Sequence, residues 1–373
     1  MLTQHSAKMM KSSDIARLRL QNQRIAGSNF AKPSDVVAWL GAVQAQDYNG
    51  ALWAVGLRLP MELNPTEALI EQAIADGTII RTWPMRGTLH FVATADVGWM
   101  LDLLAARVAK RIQARLIRDY ELDQEVFTRC QKSLVRALQG GKQLSRSAMY
   151  QVLESAKIST SQGRGLHILL QLSMNKHLCF GAREGKQPTF RLFDEWVPAT
   201  KPMSTQEALA ELARRYFTSH GPASLQDFIW WSGLTVTEAK AAIEMAKSNL
   251  VRETVGDQTY WLAPVSSATK NSKDKLPSTY LLPPYDEYTV AYKDRSAVLH
   301  PENAKLASTG NGIFNPIIVI NGQVVGVWKR ELRKGTVTIT PNFFAKLGKA
   351  EIKDLASAAN RYGNFLSASV VMS

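Results

Sequence analysis

The sequence predicts an α+β fold that is mainly helical and built from tandem winged-helix modules. Two helices joined by a short turn and followed by a β-pair occur three times along the 373 residues. The formal net charge is +13, which favours an acidic partner such as nucleic acid, although a charge that serves only solubility is the alternative. Hydrophobic residues make up 45% of the chain, enough to form packed cores in about two or three domains.

The first repeat follows from helical spacing of apolar residues, which predicts helices over residues 14–25, 33–43, 49–59 and 65–77. Asp14 is the predicted N-cap of the first of these helices. The segments TIIRTW and TLHFVA then predict two strands that are joined by a turn at PMRG.

The second and third repeats show the same order of elements. Helices over 145–155 and 165–175 precede the strand pair KHLCFGAR and PTFRLF. The third repeat is the clearest, because SLQDFIWW, a tight turn at Ser232–Gly233 and TVTEAKAAIEMAK are followed by the hairpin NLVRETV and QTYWL. Thr235 or Thr237 caps its second helix. For any single repeat, a module that only packs is an equal alternative.

The remaining chain is predicted to form a β-rich module. Residues 264–279 are rich in Ser, Lys and Thr and predict a linker. An Asn321–Gly322 turn between apolar runs predicts a hairpin, KGTVTITPNF another strand and residues 349–362 a closing helix. The chain is therefore predicted to form four domains, over residues 1–140, 141–200, 201–265 and 276–373.

Composition and spacing exclude several classes of protein and site. Cys130 and Cys179 are too few for a disulfide framework or a four-thiolate zinc site. The histidines show no short ligand spacing with Cys, Asp or Glu, so we expect no metal and no cofactor. The first residues, MLTQHSAKMMKSSD, lack the apolar stretch of a signal peptide, and no run approaches the roughly 18 apolar residues that span a bilayer. We expect a cytoplasmic protein without a membrane partner.

Acidic residues in PYDEYTVAYKDR raise the possibility of a metal nuclease, through Asp286, Glu287 and Lys293. Adjacent residues of a strand point to opposite faces, so these two carboxylates could not easily share one metal. A polar turn beside a strand edge is therefore the favoured interpretation.

Two basic segments are candidates for DNA contact. RTWPMRGTLHFV holds Arg81, Trp83, Arg86 and His90, which on a wing could track phosphates and stack on bases. The alternative is a hairpin that packs Trp83 into the core and leaves its arginines in solvent. In residues 107–120, five cations fall near one helical stripe: Arg107, Lys110, Arg111, Arg115 and Arg118. Arg111 and Arg115 are the candidate phosphate contacts there, and a merely solvated face is the alternative.

The segment GAVQAQDYNG places Gln44 and Gln46 two residues apart. In an α-helix their side chains would point about 200° apart, whereas in extended or helix-end backbone they can face one pocket. Asp47 is a natural N-cap for the next helix, which predicts an interhelical junction. From spacing alone, a pair of surface glutamines is favoured.

Several segments resemble the AlkZ/YcaQ-like winged-helix DNA glycosylases: VQAQD, RTWPMRGTLHFV, HGPASLQDFIWWSGLT, LLPPYDEYTVAYKDRS and IIVINGQVVGVWKR. The resemblance implies tandem winged helices in a C-shape around duplex DNA. It also implies excision of bulky N-alkylated purines, including both sides of interstrand crosslinks. The catalytic signature of this family is Gln, an apolar residue, then Gln or Asp. Gln44-Ala45-Gln46 matches the double-glutamine version, which is similar to the AlkZ-type branch.

The resemblance thus implies a monofunctional DNA N-glycosylase, a hydrolase of DNA repair, that acts on double-stranded DNA as a monomer. Gln44 and Gln46 would position the hydrolytic water, Asp47 would support them, and no Schiff-base lysine is expected. The candidate DNA contacts remain Arg81, Trp83, Arg86, His90, Arg111 and Arg115. A non-catalytic winged-helix DNA-binding protein, either a regulator or an architectural protein, is the alternative, and a scaffold without a DNA role is a third possibility.

Overall fold

The computed structural model describes residues 10–264, 277–310 and 312–373, which form two compact units. The glutamine unit comprises Ala31–Val55 and Glu67–Ala208. The C-terminal unit comprises Gly56–Thr66, Leu209–Ser373 and the described part of Met1–Phe30. The predicted linker falls largely on residues 265–276, which lie outside the described residues. The four predicted domain boundaries stay a prediction.

Helices and strands alternate along the chain, and the predicted mixture of both is confirmed. The helices are α1 Ser12–Asn22, α2 Pro33–Leu40, α3 Tyr48–Leu57, α4 Glu67–Ala75, α5 Thr94–Met100, α6 Ala106–Tyr120, α7 Gln124–Leu138, α8 Arg146–Ser155, α9 Arg164–Met174, α10 Phe193–Trp196, α11 Thr205–His220, α12 Leu225–Ser232, α13 Val236–Ala246, α14 Glu287–Val290, α15 Ala304–Ala307 and α16 Lys349–Phe365. The strands are β1 Val43–Gln44, β2 Ile79–Met85, β3 Thr88–Ala93, β4 Leu144–Ser145, β5 Leu178–Phe180, β6 Thr189–Leu192, β7 Val251–Val255, β8 Gln258–Leu262, β9 Thr279–Leu282, β10 Ser308–Gly310, β11 Ile313–Phe314, β12 Ile317–Ile320, β13 Gln323–Arg333, β14 Thr336–Phe343 and β15 Ser369–Met372.

The glutamine unit contains two three-stranded sheets, with strand orders β1-β3-β2 and β4-β6-β5. The β2–β3 and β5–β6 pairs are the predicted ones, and each gains a short third strand that the sequence did not indicate. The β2–β3 turn consists of Arg86 and Gly87, both with positive φ, at 55° and 76°. Positive φ at both central residues is the signature of a two-residue type I′ hairpin, whose twist matches that of the strands.

The predicted helix over 33–43 was too long. Helix α2 ends at Leu40, and Gly41 adopts a positive φ of 78° that a residue with a side chain rarely takes. Val43 and Gln44 then form β1, so the predicted interhelical junction contains a strand. The helix over 14–25 also needs correction, because α1 begins at Ser12 and Asp14 lies within its first turn, where its carboxylate accepts from the Lys11 N–H.

The third repeat has the helices and hairpin that the sequence predicts. Ser224 caps α12, Gly233 ends it with a positive φ, and Thr235 rather than Thr237 caps α13. Strands β7 and β8 form an antiparallel pair after α13. Caps and turn residues agree with the apolar pattern here, which is why the local prediction succeeds.

The C-terminal unit contains a five-stranded sheet with the order β15-β14-β13-β12-β9. The Asn321–Gly322 turn joins β12 to β13 as predicted, with φ values of 51° and 85°. The closing helix α16 is confirmed and ends at Phe365. Strand β15, which pairs in parallel with β14, was not predicted.

The acidic pair in PYDEYTVAYKDR belongs to a buried polar network of the C-terminal unit. Asp286 accepts two hydrogen bonds of 2.8 Å from Arg58 and also caps α14. Glu287 accepts from the Trp231 indole at 3.0 Å. The predicted turn beside a strand edge is present, because a turn at Pro284 and Tyr285 follows β9, the edge strand of the sheet. The two carboxylates after this turn are nevertheless buried, at 1% and 0% exposure. The two carboxylates therefore have a structural role, because a buried charge requires partners and each carboxylate accepts from a donor inside the unit.

Both cysteines lie in the glutamine unit as buried free thiols. Burial raises the pKa of Cys130 to about 11 and that of Cys179 to about 12. Over the described ranges, no helix combines the length and the apolar character needed to cross a membrane.

The Arg58–Asp286 pair offers a test of the buried network. Arg58→Met leaves the Asp286 carboxylate buried without its guanidinium, and we expect the free energy of unfolding to fall by about 3–5 kcal/mol. The control Arg17→Met removes the surface pair with Asp14, where Arg17 is 58% exposed, and should cost less than about 1 kcal/mol. Chemical denaturation measures both values. Equal losses would contradict the structural role of Arg58.

Candidate active site

The Gln44–Gln46 segment begins along the outer edge of β3, with Gln44 in strand β1, and Gln46 lies at a bend before α3. Val43 pairs with Phe91 and Gln44 with His90, and the Ala45 N–H donates to the Leu89 carbonyl at 2.7 Å. The backbone is therefore not helical at this point. Two amides at this spacing can face one pocket only if the backbone is not helical, and this requirement is met.

Side chains complete the β1–β3 ladder where the backbone turns away into α3. In a regular antiparallel pair, the Leu89 N–H would donate to the Ala45 carbonyl. It donates instead to Gln46 Oε1 at 3.3 Å, while Arg81 Nη2 donates to the Ala45 carbonyl at 2.8 Å. Gln46 thus accepts from the Leu89 N–H and Arg81 donates to the Ala45 carbonyl, the two backbone groups that do not pair with each other where the ladder ends.

Gln44 contacts the same hairpin through Arg86. Arg86 Nη2 lies 3.2 Å from Gln44 Oε1 and 3.4 Å from His90 Nε2. His90 Nδ1 lies 3.0 Å from the Thr88 carbonyl, which can only accept. The proton of neutral His90 is therefore on Nδ1, and Nε2 accepts from the guanidinium.

These contacts fix the orientation of both amides. A guanidinium and a backbone N–H can only donate, so the atom that faces Arg86 or Leu89 must be the amide oxygen. Gln44 is 8% exposed, Ala45 is 0% exposed and Gln46 is exposed. One glutamine is therefore held inside the unit and the other reaches solvent, and the residue between them in sequence, Ala45, is fully buried.

Asp47 is the N-cap of α3, as predicted. Its Oδ1 accepts from the Gly50 N–H at 2.6 Å, and its carbonyl accepts the first helical hydrogen bond, from Ala51 at 3.0 Å. This capping satisfies a backbone donor that has no partner within the helix. The cap fixes where the chain leaves the β3 edge.

Arg81 is a largely buried cation beneath the Gln44–Gln46 segment. Its guanidinium lies 5.1 Å from the centre of the Tyr48 ring and 5.0 Å from that of Phe180. Burial lowers the pKa of Arg81 to about 10, and Asp47 acts in the opposite direction, so the side chain stays charged at neutral pH. Arg183 also stacks on Tyr48, at 4.4 Å. No sequence pattern indicates Arg183, because its contacts depend on tertiary packing.

The remaining candidate DNA contacts divide into buried and exposed groups. Trp83 is 6% exposed and packs against Phe180 with ring centres 5.1 Å apart, and His90 is 0% exposed. The alternative, a hairpin that packs Trp83 into the core with its arginines in solvent, is therefore confirmed for Trp83 but is wrong for Arg81, which is largely buried. Arg111 and Arg115 are exposed on α6, where Arg115 lies 3.8 Å from Asp119. In the part of the chain that the structure describes, no three His, Cys, Asp or Glu residues are grouped to hold a metal.

Comparison with known proteins identifies the family and the fold of this chain. The family described as "DNA glycosylase AlkZ-like" matches residues 37–365. The chain is similar to the interstrand DNA cross-link repair glycosylase of Streptomyces sahachiroi, with 27% identity over an alignment that covers 92% of this chain and 95% of the relative. The solved structure of Streptomyces sahachiroi DNA glycosylase AlkZ has the same fold, with a TM-score of 0.79, 22% identity and coverage of 98% of this chain and 100% of that chain.

The protein is thus a DNA glycosylase, and the predicted hydrolase class is confirmed. More narrowly, the chain belongs to the AlkZ-like DNA glycosylase family, because the family match covers most of its length.

The Asp47 cap offers a test of how the segment is held. Asp47→Ala removes the acceptor of the Gly50 N–H and should lower the free energy of unfolding by about 1 kcal/mol, whereas Asp47→Asn should retain most of it. Asp123→Ala removes the same kind of cap from α7 and is the matched control. Thermal or chemical denaturation provides the values. If asparagine were as destabilising as alanine, capping would not be the structural role of Asp47.

Proposed function

We propose that the chain hydrolyses the N-glycosidic bond of bulky N-alkylated purines in double-stranded DNA, with water positioned by Gln44 and Gln46. The observation that carries this proposal is the contact of both amide oxygens with one hairpin, through Arg86 and Leu89. The likeness to a crosslink-repair glycosylase supports a bulky lesion, including an interstrand crosslink.

The chemistry of the lesion explains why neutral amides suffice. An N7- or N3-alkylated purine is cationic, so it leaves as a neutral base when the bond from C1′ breaks and its electrons pass to the base. Water then bonds to the oxocarbenium-like C1′ and releases a proton to solvent. The enzyme needs to hold this water and accommodate the cation, without a strong general acid or a Schiff-base lysine. Amide dipoles do this without the cost of burying a carboxylate near DNA phosphates.

The different exposure of the two glutamines supports a division of labour. Gln46 is exposed, and its oxygen can accept a second hydrogen bond besides the one from Leu89. We assign the water to this oxygen, and the largely buried Gln44 contributes the dipole of its amide. Most glycosylases flip a base into a closed pocket, which a crosslinked base cannot enter freely. An exposed water-binding group suits such a lesion.

Tandem winged helices would supply the DNA-binding surface. The local order of α12, α13, β7 and β8 supports one such module, and that of α8, α9, β5 and β6 supports another. Lys110, Arg111, Arg115 and Arg118 are exposed on α6 and support a phosphate track. We leave Trp83 and His90 out of this surface because both are buried.

The glutamine pair can be tested directly. We expect the double substitution Gln44→Ala and Gln46→Ala to slow single-turnover base release by at least about 100-fold, because it removes the groups that position the water. The substrate is a duplex oligonucleotide that carries 7-methylguanine or a crosslink mimic. Gln139→Ala, at an exposed glutamine after α7, is the matched control. Base release by the double variant at the wild-type rate would remove both glutamines from the mechanism. DNA binding by the wild-type protein without base release would favour the non-catalytic alternative.

The basic stripe of α6 predicts a salt-dependent effect. Arg111→Ala and Arg115→Ala should each weaken DNA binding and reduce the slope of log K against log salt concentration by about 1. Lys353→Ala, at an exposed cation of α16, is the control. Fluorescence anisotropy across a salt series measures the slopes. Unchanged slopes in both arginine variants would place the phosphate track elsewhere.

A further inference from the structure

We propose that Arg86 is a positioning residue, which fixes the orientation of the Gln44 amide for the reaction. This inference rests on the proposed function of Gln44 and deepens it. Arg86 was expected to contact phosphate, but its Nη2 lies 3.2 Å from Gln44 Oε1 and 3.4 Å from His90 Nε2. One guanidinium nitrogen therefore contacts a glutamine of the signature and the residue that pairs with it across the sheet.

The orientation of a glutamine amide is the property that Arg86 controls. The oxygen and nitrogen of an amide differ little in size, so rotation about the last side-chain bond exchanges an acceptor for a donor. Arg86 can only donate, so it stabilises the orientation with the oxygen towards itself. Without it, Gln44 could present an N–H where the reaction requires the oxygen dipole.

His90 adds a second constraint on Arg86. Its Nδ1 faces the Thr88 carbonyl at 3.0 Å, so its Nε2 lone pair accepts from Arg86 Nη2. Since His90 is 0% exposed, this acceptor is fixed by the packing of the unit. The buried His90 thereby helps to hold the Arg86 guanidinium against the Gln44 amide.

A second hairpin turn with the same backbone conformation provides a control for the substitution of Arg86. Arg86–Gly87 and Lys334–Gly335 are both two-residue hairpin turns, with φ values of 55° and 76° in the first and 46° and 76° in the second. Lys334 is exposed. Asn321 occupies the same position of the β12–β13 turn, with φ 51°. An asparagine is therefore compatible with this backbone, and Arg86→Asn removes the guanidinium without disturbing the turn.

The test measures single-turnover base release by Arg86→Asn, Gln44→Ala and the double variant, with Lys334→Asn as the matched control. We expect Arg86→Asn to slow release about 10- to 100-fold at saturating enzyme, with DNA affinity unchanged within about twofold. Its midpoint of chemical denaturation should change little, since asparagine tolerates positive φ better than arginine and this gain offsets the lost contact with the buried His90. Arg86→Lys, which keeps the charge and loses the planar fork, should not restore the rate.

The double variant decides how Arg86 acts. If Arg86 works through Gln44, Arg86→Asn causes no further loss in the Gln44→Ala background. An equal loss in both backgrounds, or a weaker affinity that accounts for the slower rate, would overturn the inference and return Arg86 to a phosphate contact.

A readout that does not depend on catalysis keeps this inference distinct from the proposed function. The side-chain NH₂ signals of Gln44 can be assigned in a ¹⁵N-glutamine-labelled sample by their loss in Gln44→Ala. We expect Arg86→Asn to shift or broaden these signals and Lys334→Asn to leave them in place. Unmoved signals in Arg86→Asn would overturn the positioning role. A wild-type rate in Gln44→Ala with moved signals would instead reject the proposed function and retain the contact.

Discussion

The pairing of β1 with the outer edge of β3 is the constraint on which the candidate site depends. It covers two residues, Val43 and Gln44, yet it requires α2 to end at Leu40 and the chain to stay extended before α3. Because the ladder ends at Ala45, its last groups need side-chain partners. The residues that supply them include one of the two glutamines of the signature. The same local geometry thus serves the fold and brings both amides to one hairpin.

The arginines of the glutamine unit lie in two different environments, and sequence alone does not separate them. Arg81 and Arg86 come from the same hairpin as Trp83 and contact the signature segment from inside the unit. Arg111 and Arg115 lie on the surface of α6. An arginine on a strand can place its guanidinium inside the unit or in solvent, because its long aliphatic side chain reaches several neighbours. Only the tertiary packing of Tyr48 and Phe180 rings around Arg81 decides its environment.

An element could be predicted from the sequence where its signal lies in neighbouring residues, and could not where it depends on distant ones. The third repeat could be predicted because Ser224, Gly233 and Thr235 are caps and turn residues that coincide with the apolar pattern. Strand β1 could not be predicted, since two residues are too few to show a period and Val43 also fits the helical spacing of α2. The partners of Asp286 lie far away in the chain, which is why its buried pair with Arg58 was missed. The double-glutamine signature was found by resemblance, while the contacts that orient it required coordinates.

The burial of the two thiols has a consequence for the reactivity of this protein towards electrophiles. Electrophiles react with the thiolate rather than the thiol, and they must reach it. Cys130 and Cys179 are both 0% exposed, and burial raises the pKa of each well above neutral. The chain's strongest potential nucleophiles are therefore protonated and shielded. An electrophile would find no ready thiol on this enzyme while the fold is intact.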